Sequence, residues 1–421
     1  MSEKLIIKNF AGIKDAEIEL NKINILIGPQ ATGKSVIAKL LYLFKSVPNQ
    51  IIKSIIQDSI PESYFKDNFK SLFETYFPPA CLGLKDCIIR YEIGDTFIQV
   101  YQSRKNEHSI ILEYSELYDD LLNEGYNKFL EIKSKLKDED REFFSYSRIN
   151  PFLYRRFFER LGTPGGYAQE FMPAGRSYFA NISESKFFHD KEKIPIDRFL
   201  IEFGSFYEFA KKFYRRTSQD LSESQKTVDA IISKILYGSY IQEENIDYVK
   251  HIDGRKVNIT HLSSGQQEVL PISLVLRMIV NVRFVGKGIT MYIEEPEAHL
   301  FPNSQRDIVK LLATVFKLSV SPLQLFITTH SPYILTAFAN LMEAGIVRKK
   351  AEGDAEKLKK LYDIVPEEQI LDPSVVNAYN VTHDGIKSII DDETGLILAD
   401  EIDDVSDETS EQFNKLLELE Y

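Results

Sequence analysis

The hydrophobic pattern at the start of the chain predicts strands, a helical stretch and then more strands. The runs "LIIKNF" and "AEIELN" have the alternating or β-branched character of strands around a turn at "GIKD", and "KINILI" has the apolar character of a buried central strand. From Ser35 to about Phe73 apolar residues recur at helical spacing, with breaks at Pro48 and Pro61. The runs "CIIRYEIG", "TFIQVYQS" and "HSIILEY" then predict a β meander.

The rest of the chain changes from a helical to an alternating pattern. Helical stretches are predicted at about 115–160, 196–216 and 222–236, and "IDYVKHIDGRKVNITHL" predicts a hairpin that turns at "DG". Strands and helices then alternate to about Met342, which predicts a mostly parallel sheet with covering helices. From about Pro373 short strand-like pieces lead to an acidic final helix.

The stretch "GPQATGKS" joins the predicted buried strand to the first helix and fits the phosphate-binding pattern G-x-x-x-x-G-K-[ST]. Gly28 and Gly33 leave room for backbone N–H groups to point at phosphates. Lys34 can reach the β and γ phosphates as a point charge, and the Ser35 hydroxyl can ligate Mg²⁺. The predicted nucleotide-binding loop also includes Gln30, Ala31 and Thr32.

Two adjacent carboxylates follow a later apolar strand in "GITMYIEEPEAHLFP". They should lie at the C-terminal edge of a parallel sheet, where ligands bind in open α/β folds. Phosphoryl transfer to water needs one acid to hold the metal and its water shell and another to orient the attacking water. Glu294 is therefore the predicted metal-binding residue and Glu295 the predicted catalytic one.

These patterns predict an α/β fold of two lobes, because 421 residues exceed one compact core. We expect a mostly parallel sheet that carries the phosphate-binding loop, an antiparallel β lobe and a helical insertion. The expected divisions are an N-terminal lobe at 1–113, a helical insertion at 114–240, a C-terminal lobe at 241–345 and an extension at 346–421.

The amino-acid composition limits which binding partners and which cellular compartment we expect for this protein. Lys and Arg number 51 against 63 Asp and Glu, and the resulting net charge of -12 argues mildly against a dedicated DNA-binding protein. Cys81 and Cys87 lack metal or redox spacing and are expected to be packing residues. No apolar run reaches the ~20 residues of a membrane span and the start lacks signal-peptide features, so we expect a cytoplasmic protein without a membrane partner.

The ordered motifs GPQATGKS, LSSGQQ, YIEEPEAHL and TTHSP resemble those of the ABC-type ATPase heads of the SMC, RecF and OLD (overcoming lysogenization defect) families. The resemblance covers roughly residues 3 to 46 and 258 to 340 and leaves the middle of the chain family-specific. It implies a two-lobed ABC-type ATPase head that binds ATP and Mg²⁺, and a homodimer or higher homo-oligomer in which two protomers enclose two ATP molecules.

The resemblance also implies roles for particular residues. His330 matches the switch histidine that contacts the γ-phosphate and the attacking water, and residues 296–299 match a loop that crosses the dimer interface. The segment "MPAGRSYF" resembles one found in OLD-like ATPases, so Arg176 is expected to reach a phosphate or the dimer partner, or else to form a surface ion pair. Residues expected to close on the partner's γ-phosphate are Ser263, Gly265 and Gln266.

The chain departs from the family pattern in its acidic pair and its signature loop. Glu294 stands where an Asp is usual, which lengthens the metal-binding side chain by one methylene, and Ser264 stands where a Gly is usual. In the family a glutamine links the two lobes of the head. No motif identifies this glutamine in the chain, and Gln99 and Gln102 are the candidates.

The motif set without a recognisable nuclease domain predicts a regulatory ATPase. An OLD nuclease carries a C-terminal metal-binding domain of about 100 residues, more than follow Met342, and neither the long coiled coils of SMC proteins nor their hook motif is present. We predict regulation of a separate effector, such as a nuclease, in a prokaryotic antiphage system that resembles Septu or PARIS-type defences. The alternative is a RecF/SMC-like DNA-repair ATPase that clamps DNA.

Two stretches leave binding questions open. In "FLYRRFFERL" and "FAKKFYRRTS" cations could neutralise phosphates while an aromatic ring stacks on a base, but the same spacing fits the solvated face of an amphipathic helix. The residues concerned are Arg155, Arg156, Lys211, Lys212, Arg215 and Arg216, with Tyr154 or Tyr214. The final helix, "DETSEQFNKLLELEY", has leucines at helical spacing and can dock onto the head or onto a partner.

Overall fold

The computed structural model describes residues 2–57, 61–82, 86–103, 106–135, 141–180, 197–217, 221–284, 288–399 and 412–417. Its strands, in chain order, are β1 Glu3–Phe10, β2 Ile13–Leu20, β3 Ile23–Ile27, β4 Ile88–Ile93, β5 Thr96–Ser103, β6 Asn106–Tyr114, β7 Ala168–Met172, β8 Gly238–Glu243, β9 Ile246–His251, β10 Lys256–Asn258, β11 Ile289–Glu294, β12 Leu323–Thr329, β13 Val376–Thr382 and β14 Gly385–Ser388.

The helices cover most of the remaining described chain. They are α1 Lys34–Lys45, α2 Val47–Gln57, α3 Pro61–Tyr76, α4 Glu116–Ser134, α5 Arg141–Gly165, α6 Arg198–Thr217, α7 Glu223–Leu236, α8 Ser264–Ile279, α9 Pro302–Leu318, α10 Pro332–Lys350 and α11 Ala355–Ile364. Residues 412–417 are also helical. No helix in these described ranges is long and apolar enough to cross a membrane.

Three sheets organise the molecule. The central sheet has the order β14-β13-β3-β12-β11-β7, and β13, β3, β12, β11 and β7 run parallel. A second sheet is antiparallel with the order β2-β1-β4-β5-β6, and a third comprises β10-β9-β8. The predicted α/β fold with a mostly parallel sheet and an antiparallel β lobe is therefore confirmed.

The central sheet separates two hydrophobic cores because its side chains alternate between its faces. Ile25 of β3 and Ile293 of β11 enter the core beneath α7, α8, α9 and α10. Leu26 and Tyr292, one position away, enter the core shared with the antiparallel sheet and α1 to α5. Strands buried on both faces explain why "INILI" and "ITMYIE" read as continuous apolar runs.

Two strands of the central sheet come from regions that the sequence did not assign to it. β7 lies within the expected helical insertion at 114–240 and pairs with β11, and β13 lies in the expected extension at 346–421 and pairs with β3. Both pairings join segments far apart in sequence, and two adjacent residues of the five in β7 are polar, so its period-2 pattern is weak.

A buried polar cluster ties the antiparallel sheet to the central sheet. Lys45 of α1 forms an ion pair with Glu3 of β1, and both side chains are almost wholly buried. Tyr91 of β4 donates to Glu3 Oε1 at 2.5 Å, and Gln324 of β12 donates to Glu3 Oε2 at 2.9 Å. The carboxylate is thus fully engaged by groups from three other elements, as a buried charge requires.

Candidate functional site

The loop between β3 and α1 has the backbone shape that its glycines allow. Gly28 and Gly33 have φ values of 152° and 99°, and Gly33 is the left-handed residue that precedes α1. A Cβ built on Gly28 would lie 2.0 Å from the carbonyl oxygen of Val381 in β13. The close packing of β13 against the loop therefore requires a glycine at position 28, whether or not a bound ligand requires one too.

Lys34 is folded back over this loop. Its Nζ donates to the carbonyl oxygens of Gly28 and Pro29, both at 2.7 Å, and lies 3.4 Å from Nδ1 of His330. Burial lowers the pKa of Lys34 to about 8, against the attraction of the nearby Glu295 and Glu297 carboxylates. The amine is thus held where the motif places a phosphate-binding group.

The other loop residues predicted to bind nucleotide surround this amine. Thr32 is buried and its hydroxyl donates to the carbonyl of Pro29 at 3.0 Å, which braces the loop. Gln30, Ala31 and Ser35 are exposed. Their exposure leaves the predicted contact surface of the loop open to solvent.

The two predicted acidic residues lie in different environments at the end of β11. Glu294 is buried, its Oε2 accepts from the backbone N–H of Ala174 at 3.2 Å, and its buried Oε1 has no hydrogen-bond partner among the described residues. Glu295 has a positive φ of 43°, and its side chain is 39% exposed. The backbone therefore turns at Glu295 and presents one carboxylate inward and the next outward.

His330 lies between the loop lysine and the exposed carboxylate. Its Nε2 is 3.4 Å from Oε1 of Glu295, on the side of the ring opposite to Lys34. The three residues follow β3, β11 and β12, which are neighbouring parallel strands, so their side chains meet at one edge of the sheet. The structure thus brings Lys34, Glu295 and His330 together.

Glu297 holds the segment that carries His330, although sequence analysis had not singled it out. Its Oε1 accepts from the hydroxyl of Thr329 at 2.6 Å and from the backbone N–H of His330 at 2.8 Å. Burial raises the pKa of Glu297, partly offset by these hydrogen bonds. The signal in the sequence was an acid placed between small and apolar residues in "PEAHL".

Arg176 is wholly buried, and its predicted contact with a phosphate or a dimer partner must be corrected. Its guanidinium donates to the backbone carbonyls of Glu294 at 2.7 Å and Glu295 at 2.9 Å, and to those of Pro173 and Glu268. The buried carboxylate of Glu268 lies 3.6 Å away and also accepts from the backbone of Arg176. Burial with these partners leaves Arg176 to brace the end of β11. The sequence signal that was missed is Glu268, the one acidic residue of α8, which directly precedes its long apolar run.

The predicted signature loop lies at the start of α8. Ser263 is exposed and caps α8, with Gln266 accepting from its backbone N–H at 3.2 Å. A Cβ on Gly265 would lie 2.6 Å from the carbonyl oxygen of His299. The absent side chain therefore lets the start of α8 approach the 296–299 loop that was predicted to cross a dimer interface.

Several residues of the basic stretches, and Gln99 of the two candidate glutamines, form contacts within the chain. Arg155 and Arg156 form ion pairs with Glu159, and Arg156 also pairs with Glu124. Lys211 is paired with Glu208 and Asp247, and the hydroxyl of Tyr214 donates to a backbone carbonyl. Gln99 bonds Arg90 and Glu113 on the antiparallel sheet. These contacts favour the amphipathic-helix interpretation for the residues that they involve.

Oxygen atoms suited to a hard cation are present beside the loop. Glu294 offers the unpartnered Oε1, and Ser35 offers an exposed hydroxyl in the first turn of α1. Carboxylate and hydroxyl oxygens are the protein ligands that Mg²⁺ accepts, usually together with waters and substrate phosphates. The donor set therefore fits the predicted cofactor.

The chain was compared with curated proteins, with solved structures and with protein-family models. No curated protein matches the chain. Similar solved structures include an SMC head domain from Thermotoga maritima, with 12% identity, 80% of this chain and 91% of that chain covered, and a TM-score of 0.35. An SMC head bound to the C-terminal winged-helix domain of ScpA has 13% identity, 92% and 96% coverage, and a TM-score of 0.42.

A protein-family model also matches more than half of the chain. The AAA ATPase domain matches residues 1–193 and 178–335, which contain the phosphate-binding loop, the acidic pair and His330. The chain belongs to the AAA ATPase domain family.

Proposed function

We propose that this protein binds ATP with Mg²⁺ and hydrolyses it to ADP and phosphate. The observation that carries the proposal is the position of His330 between the Lys34 amine and the Glu295 carboxylate, 3.4 Å from each. A phosphate-binding cation, a γ-phosphate sensor and a general base are thereby combined at the end of one phosphate-binding loop.

Each residue has a separate task in this proposal. Lys34 exchanges the carbonyl oxygens of the loop for phosphate oxygens, so its charge neutralises the leaving phosphates. Glu295 orients a water and takes its proton as the water oxygen bonds to the γ-phosphorus and the β–γ bridging bond breaks. His330 donates to the γ-phosphate and keeps the water in line. Glu294 and Ser35 would hold Mg²⁺, which neutralises charge on the β and γ phosphates when bound.

We further propose that two copies associate head to tail around ATP. Ser263 is exposed at the N-terminal end of α8, where backbone N–H groups favour an anion, and the adjacent 296–299 loop packs against this end. Gln266 now caps the same helix and donates to the carbonyl of Leu236 at 2.7 Å. In the dimer these residues would face the nucleotide of the partner protomer.

Steady-state ATP turnover tests the catalytic assignment. Glu295→Gln should reduce turnover by about 100-fold or more while it retains ATP binding, because the amide keeps the shape but cannot take a proton. Glu352→Gln removes an exposed carboxylate elsewhere and should leave turnover unchanged. Turnover retained by Glu295→Gln would show that another group activates the water.

We propose that this ATPase cycle controls a separate effector, such as a nuclease, in an antiphage system. This proposal is supported by the OLD-like motif set. It is tested by measuring phage protection with and without the neighbouring genes. Protection by this gene alone would refute a two-component system.

The alternative function is a DNA-repair ATPase that clamps DNA. ATP turnover measured with duplex and with single-stranded DNA tests this alternative, because strong, salt-sensitive stimulation of turnover would favour a DNA clamp.

A further inference from the structure

A groove with an apolar floor and a basic rim lies far along α10 from the nucleotide loop. We call it the basic groove. Its floor includes Leu341, Val347 and Ile364, and it encloses about 610 Å³ between α9, α10 and α11. Val347 is 38% exposed and Ile364 is 79% exposed, so the described chain leaves this apolar surface uncovered. Its rim carries Arg306, Lys310, Lys357 and Lys360, with Glu343 as the acidic lining residue.

Four cations and one acid line the groove, and each of the four cations also has an acidic partner beside the rim. Lys357 pairs with Asp354, the residue that caps α11, at 3.4 Å, and Lys360 pairs with Glu356 of α11 at 2.7 Å. Arg306 and Lys310 share Asp307, at 3.5 Å and 3.9 Å. Burial, followed by the neighbouring Arg306, lowers the pKa of Lys310, with Asp307 acting in the opposite direction. Cations gathered around an apolar floor fit an acidic amphipathic helix.

The chain itself contains such a helix. Residues 400–421, which we call the acidic tail, include nine Asp or Glu residues and one Lys. Within it 412–417 are helical, and Phe413, Leu416 and Leu417 are 60%, 64% and 40% exposed. The spacing i, i+3, i+4 places these three side chains on one face. An apolar face this exposed, on a segment this acidic, lacks a partner surface in the described structure.

We propose that the helix of the acidic tail docks in the basic groove of the same chain. Leu396, near the last residue before the tail, lines a cavity that shares Glu343 with the groove. Residues 400–411 can span about 40 Å, and the 19-residue α10 is about 28 Å long. The tail can therefore reach any point along α10. This inference is independent of the proposed catalysis.

Disulfide trapping in the full-length protein tests the docking. Leu416→Cys is combined with Val347→Cys in one variant and with Ile364→Cys in another, followed by mild oxidation and electrophoresis without reductant. The natural thiols interfere little, because burial raises the pKa of Cys87 to about 12 and also raises that of Cys81. The matched control joins Leu416→Cys to Ile252→Cys, at a hairpin tip that is 89% exposed.

We expect an intramolecular disulfide in at least one groove variant at a yield roughly tenfold above the control, since only close Cα atoms can be bridged. Adding Lys357→Glu and Lys360→Glu should reduce that yield by roughly fivefold, as should high salt. A disulfide between two chains would instead make a second copy the source of the tail and overturn the proposal. Equal yields in the groove and control variants would overturn it as well.

Discussion

At the residue scale, Lys34 shows how one side chain can be held ready for a ligand. Its amine is satisfied by two loop carbonyls, yet burial holds its pKa near 8, so its charge is only weakly secured. Phosphate oxygens would add negative charge next to the amine and so stabilise its protonated form. Binding of nucleotide and protonation of Lys34 should therefore be coupled.

Proton uptake by Lys34 on ATP binding should make the ATP affinity depend on pH. Below about pH 8 the amine is already protonated, and above it a proton must be taken up when ATP binds. Affinity of the unmodified protein for a non-hydrolysable ATP analogue should be nearly constant from pH 6.5 to 7.5 and then fall by nearly tenfold per pH unit above about 8. Calorimetry in two buffers of different ionisation enthalpy would detect the proton uptake. A flat affinity profile to pH 9.5 would contradict the prediction.

Glu297 positions His330 by accepting a hydrogen bond from its backbone N–H. Glu297→Ala removes the acceptor of the Thr329 hydroxyl and the His330 N–H, and it should lower kcat by about 10-fold or more with a smaller change in KM. Glu297→Gln keeps one acceptor oxygen and should retain most of the activity. The kinetic contrast between the two variants is the measurement, and equal losses would argue against a positioning role.

At the scale of elements, Arg176 connects three segments around the end of β11. It follows β7 in the chain, donates to the carbonyls at the end of β11, and pairs with Glu268 of α8. The positive φ of Glu295 occurs where this guanidinium donates, so the turn that exposes the catalytic carboxylate is braced from beneath.

Arg176→Ala should therefore destabilise the fold and the site together. It leaves the carboxylate of Glu268 buried without its cation, at a cost of about 3 kcal/mol or more in the free energy of unfolding. Arg155→Ala changes an arginine that is 75% exposed and should cost no more than about 0.5 kcal/mol. Chemical denaturation of both variants is the measurement. If the two lost similar stability, the bracing role of Arg176 would be refuted.

At the scale of the whole molecule, the Glu3 cluster joins the antiparallel sheet to the central one. Glu3 and Lys45 are each almost wholly buried, and the hydrogen bonds from Tyr91 and Gln324 bring β4 and β12 to the same carboxylate. A buried pair of this kind specifies how the sheets pack and is costly to break from one side.

Lys45→Met should lower the free energy of unfolding by about 3–5 kcal/mol, because it leaves the Glu3 charge buried without its cation. The double variant Lys45→Met with Glu3→Gln should recover at least about 1 kcal/mol of that loss, since no unpaired charge remains. A double-mutant cycle by denaturation measures both values. Strictly additive losses would show that the two side chains do not interact.

The sequence by itself determined the local features of this protein. The strands around the phosphate loop, the β meander and the hairpin at "DG" follow from period-2 and turn patterns, and the structure contains them. The motif set led to an ATPase interpretation, and the family match supports it. These features depend on residues that are close in sequence, so they can be predicted from the amino-acid sequence alone.

Only the tertiary structure decided what depends on distant segments. It placed β7 and β13 in the central sheet, turned Arg176 from a proposed ligand contact into a buried brace, and brought Glu297 to the His330 segment. It also showed that Gly28 is constrained by Val381, more than 350 positions away. Strand pairing, burial and hydrogen-bond partners across such separations arise when the chain closes on itself, and no local pattern encodes them.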